Sequence, residues 1–365
     1  MFDRRLIASF DFTLFFTVLL ICGLGVLNLN SLCSSEGNIP NLFYKQLSWI
    51  LIGLFFLLII INTNFVTIIR YGYYLHAIAL FLVLLVLFIG KTKLGAQRWL
   101  SLGPLSLQPS ELIKITFMLA LSKFFAENIS HKPYTLLDLF SPFLLLIITF
   151  LPVYVQPDLG TAGIICLIFV SYLFFLNIKK KTFYPFFGLC LAALPCLWFV
   201  LKEYQKKRIL VFFDPDLDPL HAGYQLIQSK IAVGSGGFFG KGFRQGTQSQ
   251  LRFLPEQHTD FVFSVWSEEW GLLGCCLVVF LYFLFFYRGM RIAYNCKNFY
   301  GAYFAAGISF FFFMQFLINI CMTIGLFPVV GVTLPFFSYG GSSVISCMMG
   351  LGILLSISMR KQNKY

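Results

Sequence analysis

Charge is scarce in this chain. Asp, Glu, Lys and Arg make up 12% of its 365 residues, about half the share found in an ordinary soluble domain. Water is therefore not its main solvent, and a soluble globular enzyme is excluded. Acidic residues are the scarcer sign, 15 against 27 Lys and Arg, giving a net charge of +12. These cations flank apolar runs and form no single basic face with interleaved aromatics. Membrane topology and anionic lipid account for them, and no nucleic acid is expected as a partner. The ten cysteines never occur as C-x-x-C, so they read as small buried hydrophobes and not as metal or disulfide chemistry. His258 has no Cys or second His at ligand spacing, which argues against a zinc site. No internal repeat is evident, so an inverted-repeat transporter finds no support.

What the chain has instead is apolar length, with 58% hydrophobic residues. Runs of about 20 such residues cross a bilayer, and each must be helical because lipid offers backbone amides no partner. Ten spans are expected, at 10–30, 44–62, 70–90, 110–126, 139–154, 160–177, 183–201, 261–287, 299–324 and 336–358. The fourth and fifth are short and the fourth carries Glu111 and Lys114, so an eight-helix arrangement stays open. The first run follows Arg4 and Arg5 and ends at Asn28 to Asn30 without an A-x-A pattern, so it reads as a retained helix. The fold class is thus an all-α polytopic membrane protein of one domain, 1–365, with a large extracytoplasmic loop, 202–260, between helices 7 and 8.

The cation distribution sets the orientation. With the N-terminus inside, the cytoplasmic short segments hold Arg4, Arg5, Arg70, Lys123, Lys132, Lys179, Lys180, Lys181, Arg288, Arg291, Lys297, Arg360, Lys361 and Lys364, against Lys45, Lys91, Lys93 and Arg98 outside. Both termini are then cytoplasmic and the long loop lies outside. That loop contains DPDLDP at 214–219, AVGSGGFFGKG at 232–242 and FLPEQHTDF at 253–261, a pattern too specific for a tether. Short surface helices are expected in it, one over 221–233, where Tyr224, Ile227 and Ile231 recur at helical spacing. The glycine-rich stretch lacks the GK[ST] ending and the preceding strand of a P-loop, which is rejected.

Ionisable groups in or beside apolar spans are costly and mark candidate sites. Glu111 and Lys114, three residues apart, can pair on one helix face as a structural ion pair or a substrate contact. Asp158, after a proline, suits an N-cap. Glu268 and Glu269 fall about two turns into the eighth span, where polar packing is the favoured role over a metal or hydrogen-bonding site. Asp260 opens that span behind PEQHT, as either a helix cap or a catalytic base. His258 is the only imidazole nearby and reads as a structural or binding donor before a base. Among the loop cations, Arg208 stands where the seventh span gives way to the loop and suits a phosphate-bearing substrate.

Four stretches together resemble one family, the shape, elongation, division and sporulation (SEDS) proteins. They are GAQRWLSLGPLSLQPSELIKI at 95–115, QPDLGTA at 156–162, the loop from DP..DPLHAGYQLIQSKIAVGSGGFFGKG through HTDFVFSVWSEEWG at 271, and GVTLPFFSYGGSS at 331–343. GTQSQLRFLPEQHTDF is closer to the side-wall elongation branch than to the division branch. The resemblance implies a glycosyltransferase that polymerises lipid II, a disaccharide-pentapeptide on undecaprenyl pyrophosphate, at the outer face of the cytoplasmic membrane. It implies as partner a class B penicillin-binding transpeptidase, besides membrane lipid. Asp260 matches the family's essential aspartate, and Glu111 and Lys114 match its activity-linked QPSE..K positions. His221 departs from a usual glycine and Trp270 from a smaller residue, which puts local loop shape in question.

An α-linked pyrophosphate donor and a β-1,4-linked product imply one inverting displacement. Asp260 is then expected to take the proton from the acceptor 4-hydroxyl, with Arg208 and Lys114 steadying the departing pyrophosphate. His258 is expected to contact substrate. A divalent cation, Mg or Mn, stays open beside them. Two rival functions remain, a lipid II flippase and a non-enzymatic scaffold for a transpeptidase. A flippase would line a path through the midplane with polar groups.

Overall fold

The computed structural model describes residues 9–33, 40–93, 96–102, 105–129, 133–176, 178–179, 181, 184–185, 188, 198–199, 201–220 and 222–360. Most of the expected seventh span, 183–201, and the loop's His221 lie outside these residues. In chain order the elements are α1 (Phe12–Cys33), α2 (Pro40–Asn62), α3 (Phe65–Arg70), α4 (Gly72–Ile89), strands β1 (Lys91–Lys93), β2 (Ala96–Leu102) and β3 (Leu105–Leu107), then α5 (Pro109–Glu127), α6 (Leu136–Val155) and α7 (Leu159–Phe175). The segment 202–260 holds α8 (Glu203–Phe213), a 3-10 turn (Pro215–Leu217), α9 (Ala222–Ser235) and α10 (Thr247–Gln250). Three long helices close the chain, α11 (Val262–Asn295), α12 (Phe299–Thr323) and α13 (Gly341–Arg360).

Nine of the ten expected spans thus coincide with helices. Seven of these, α1, α2, α4, α6, α11, α12 and α13, are long and apolar enough to cross a membrane by length and composition. α7 is shorter at 17 residues, and α5 is interrupted by Glu111, Lys114 and Lys123. Burial separates centre from rim. In α13, 78% of the apolar window is buried and in α12 61%, against 28% in α2, α4 and α6. Phe55, Phe81 and Leu137 therefore face outward, where lipid is as good a solvent for them as a protein core.

Polar side chains inside this bundle are tied in pairs. His76 of α4 meets Thr116 of α5 at 3.3 Å and Thr149 of α6 at 3.0 Å, joining three helices through one imidazole. Cys22, Cys296 and Cys347 are buried free thiols, in line with their reading as small apolar residues.

Two features depart from the sequence reading. The segment expected as a short outer loop after α4 forms an antiparallel three-stranded sheet in the order β1-β2-β3, with Lys91 opposite Trp99 and Leu100 opposite Leu107. The eighth span is also not one straight helix. At Gly271 the backbone turns to φ 62, ψ −160. Ser267 Oγ and Cys275 Sγ consequently lie 3.1 Å apart across eight residues, which a straight helix would separate by about 12 Å. The first arm, 262–270, folds back against the start of the second.

Such a bend frees backbone groups that must find partners. The glycine-rich turn supplies them: the amides of Lys241 and Gly242 donate to the carbonyls of Glu268 and Glu269 at 3.0 Å, and the amides of Leu272 and Leu273 donate to Gly237 and Phe238 at 2.9 and 3.3 Å. AVGSGGFFGKG is thus a backbone splice. A Cβ on Gly240 would lie 2.1 Å from the Glu269 carbonyl oxygen, so only glycine permits the approach. Glu268 and Glu269, expected two turns into a span, pack instead against the 236–250 segment, because the fold at Gly271 returns them there.

Gly271→Ala puts a side chain at positive φ, with its Cβ 2.3 Å from the Gly240 amide nitrogen. Strain of about 1–3 kcal/mol is expected from the backbone alone. The melting temperature of the detergent-solubilised protein should fall by several degrees, and an unchanged value would show that the bend tolerates a Cβ.

Candidate functional site

The four distant stretches singled out above converge at one place, one end of the bundle around Asp260. Its carboxylate is half-buried, and the segment carrying it is held by its backbone. The His258 carbonyl accepts the Tyr339 amide at 3.0 Å, the Thr259 carbonyl accepts the Ser338 hydroxyl at 2.7 Å, and the Asp260 carbonyl accepts the Asn319 amide nitrogen at 2.9 Å. All three donors come from α12 or the connection to α13. Gly331 in that connection lies against the carboxylate, since a Cβ there would sit 3.2 Å from Oδ2.

The cap role weighed for Asp260 is not what the geometry shows. α11 is capped at Phe261 without a side-chain bond, so the carboxylate is left for another task. Burial pushes its pKa up to about 6, and neighbouring Glu256 pushes the same way. Arg208 of α8, the Thr259 hydroxyl and Arg98 of β2 act against that rise. A carboxylate in this range is still ionised at neutral pH yet basic enough to accept a proton.

The two arginines are fixed by carbonyls. Arg208 donates to Val329 O at 3.2 Å, and burial lowers its pKa while Asp260 holds it up. Arg98 donates to Gln156 O at 3.4 Å and to Pro157 O, and it faces Asp158 at 3.6 Å. Asp158 is the expected N-cap of α7, accepting from the Thr161 amide at 3.3 Å and its hydroxyl at 3.0 Å. It also accepts from Ser110 at 3.4 Å, which brings the start of α5 to the same corner. Ser342 completes the corner by accepting the Gln108 amide at 3.0 Å, where Pro109 opens α5.

Glu111 and Lys114 form the expected pair, 2.8 Å apart, with Lys114 only 1% exposed. The ammonium also stands 5.5 Å above the Phe311 ring. No hydrogen bond or ion pair among the described residues joins Lys114 to Asp260; Ser110, next to Glu111 in α5, bonds Asp158, which Arg98 faces. His258 packs its ring edge-on to Tyr339 at 5.9 Å, a structural position beside Asp260.

Sequence reasoning missed Arg98, counted only as a loop charge, and Asn319, a neutral residue in an apolar span. Gln315 and Asn319 recur at helical spacing within that span, a signal that was available. Among the described residues no group of three or more His, Cys, Asp or Glu is placed to hold a metal ion.

A family model for FtsW/RodA/SpoVE cell cycle proteins matches residues 11–363. The chain belongs to this family. A peptidoglycan glycosyltransferase, MrdB of Escherichia coli, is 42% identical over 79% of the chain and 78% of its own length. RodA of Treponema pallidum, another peptidoglycan glycosyltransferase, is 31% identical over 98% of the chain and 99% of its own. Among solved structures, a chain of a peptidoglycan synthase complex superposes with a TM-score of 0.83 at 31% identity, covering 97% of this chain and 99% of that one. The rod shape determining protein RodA of Thermus thermophilus gives 0.72 at 29% identity, covering 97% and 98%. The FtsW/RodA/SpoVE match and the apolar helices together make this a multi-pass membrane protein.

Glu268 binds the loop of this family member most heavily. It accepts from Lys241 Nζ at 2.7 Å, the Thr247 hydroxyl at 3.2 Å and the amides of Gln248 and Ser249 at 2.9 and 3.2 Å. Bonds to a charged group contribute about 1.5–3 kcal/mol each, so Glu268→Ala should open the 241–250 segment. Its amide hydrogen exchange is expected to speed up by about tenfold or more, and unchanged protection would show that the splice at Gly271 suffices.

Proposed function

We propose that the chain is a peptidoglycan glycosyltransferase that polymerises lipid II into β-1,4 glycan strands for side-wall elongation, with Asp260 as general base. The observation that carries the assignment is a half-buried carboxylate with its pKa near 6, released from helix capping and flanked by Arg208 and Arg98. The relatives are peptidoglycan glycosyltransferases, and a carboxylate beside two cations supports the same reading.

The chemistry needs one base. Asp260 removes the proton from the acceptor 4-hydroxyl as that oxygen bonds to the donor's anomeric carbon, and the bond from that carbon to the pyrophosphate oxygen breaks. Inversion follows because attack and departure occur on opposite faces. A positioned base contributes about 10²–10⁴-fold. Arg208, with Arg98, offers fixed positive charge to the departing pyrophosphate, an effect strengthened where water is scarce. The Lys114 ammonium has three donors, of which Glu111 engages one; the remainder suit a substrate oxygen, as does His258 two residues before Asp260.

A cytoplasmic-membrane location with both termini inside and the loop outside is the orientation that the flanking cations favour. It places Asp260 at the outer boundary, where a polar headgroup can meet it while a polyprenyl tail stays in lipid. The partner proposed is a class B penicillin-binding transpeptidase, in keeping with the synthase complex whose chain this one matches. A flippase is the weaker reading, because the charged cluster of Arg98, Asp158, Arg208 and Asp260 gathers at one end and not along a transmembrane path.

Asp260→Asn should abolish glycan ladders from labelled lipid II while melting no lower than the parent at pH 7.5. The sign follows from linkage: a carboxylate whose folded pKa is raised contributes stability below its unfolded pKa and loses it as pH rises through about 6. Wild-type turnover should rise with pH through the same value and level off above it. Arg208→Ala should slow turnover by about 10²-fold or more. Full activity in Asp260→Asn would sink the assignment.

A further inference from the structure

The oxygen of a carboxylate base is useful only if it is held against its target, and most of what holds Asp260 comes from one neutral side chain. Asn319 of α12 is fully buried and uses both amide hydrogens. One bond runs to the Asp260 carbonyl at 2.9 Å and the other to the Val332 carbonyl at 2.7 Å. Val332 follows Gly331, the residue that lies against the Asp260 carboxylate. A single carboxamide therefore pins the base to the segment that walls it.

The other end of the same group strengthens the case. Among the described residues, the Asn319 Oδ1 oxygen is buried without a hydrogen-bond partner. Leaving such an oxygen unmet costs about 1–3 kcal/mol, so an apolar residue would be the more stable occupant if the position served packing alone. What the amide gives, and Leu or Ser cannot, is two divergent N–H donors on a short arm.

We propose that Asn319 is a positioning residue for the base, acting through the Asp260 and Val332 carbonyls to hold the carboxylate at its buried place. The role rests on the assignment of Asp260 as base. Glu256 and Thr259 face the carboxylate from its own segment, Arg208 from α8 and Arg98 from β2, with Asp158 of α7 behind Arg98. The α12–α13 connection brings no charged side chain. Loss of the Asn319 bonds lets Asp260 relax toward water among these same charges, so its acid limb moves toward an ordinary carboxylate.

The test is lipid II polymerisation by full-length protein in detergent, followed over pH for wild type, Asn319→Ala, Ser338→Ala and Asp260→Asn. Asn319→Ala should lose about 10- to 100-fold in kcat, the scale of a misplacement near 1 Å, with the lipid II concentration for half-maximal rate within about threefold. Its acid limb should move down by about half a unit or more. Simple destabilisation would shrink the active fraction and leave the limb where it was. Ser338→Ala, which removes the neighbouring bond to Thr259 O and the acceptor of the Leu334 amide and leaves both Asn319 bonds in place, should shift the limb less and in the same direction, and it serves if Asn319→Ala does not fold. An unmoved limb in the folded variants, with Asp260→Asn inactive, overturns the positioning role alone. Activity in Asp260→Asn overturns the base and the positioning role together.

Discussion

Three consecutive carbonyls, those of His258, Thr259 and Asp260, are each taken by a donor from α12 or the turn into α13. The rest of the site hangs on this short ladder. The segment leading into α11 is neither helix nor strand, so its backbone groups would be orphaned at a membrane boundary without outside partners. Meeting them fixes the segment. It also sets where the Asp260 side chain emerges, because a residue bonded through its own carbonyl cannot swing as a flexible loop would. GVTLPFFSYGGSS reads in this light as a docking strip, its Ser338 and Tyr339 holding one motif while Ser342 accepts the amide before α5.

The bend at Gly271 is the complementary restraint. An unbroken α11 would carry Glu268 and Glu269 into lipid, where two adjacent carboxylates cost several kcal/mol. Folding the first arm back turns that liability into an anchor, since Glu268 then collects donors from Lys241 and the start of α10. The Asp260 arm is thereby clamped at both ends, by carbonyl bonds at 258–260 and by the splice at 268–273. Rigid support of this kind is what a buried carboxylate with a raised pKa requires, because relaxation into water would return it to an ordinary and weaker base.

Much of the fold was legible in composition and periodicity. Apolar runs of bilayer length located eight helices to within about five residues, because in lipid only one local structure satisfies the backbone, while α11 runs on to Asn295 past the expected end at 287. The surface helix over 222–235 was legible through its Tyr224, Ile227 and Ile231 spacing. Two elements were not. The sheet around Arg98 has strands of three and seven residues, too short for alternation to stand out beside Gly and Pro. The bend at Gly271 depends on a close approach from a turn some thirty residues earlier, and no local pattern records such a contact. In the site, charge was the readable signal: it picked out Asp260, Arg208, Glu111 and Lys114. It was silent on Asn319, whose part is played by neutral donors to backbone carbonyls.

The arrangement of charge bears on which lipid-linked chemistry the site suits. Asp260 and Asp158 face Arg208 and Arg98 within one corner, while Glu111 and Lys114 close on each other at 2.8 Å in the buried start of α5. A buried ion pair is weak evidence for stability, since desolvation offsets its attraction. Lys114 is therefore better understood as a cation paired with Glu111 than as a rivet for the fold. A transporter would need such charges to be met in sequence along a path, each releasing the headgroup to the next. Here Ser110, Asp158 and Arg98 are joined in one fixed network beside Asp260 and Arg208. A fixed network cannot escort a moving headgroup across a bilayer, but it can hold two sugars and a pyrophosphate still while one bond forms and another breaks.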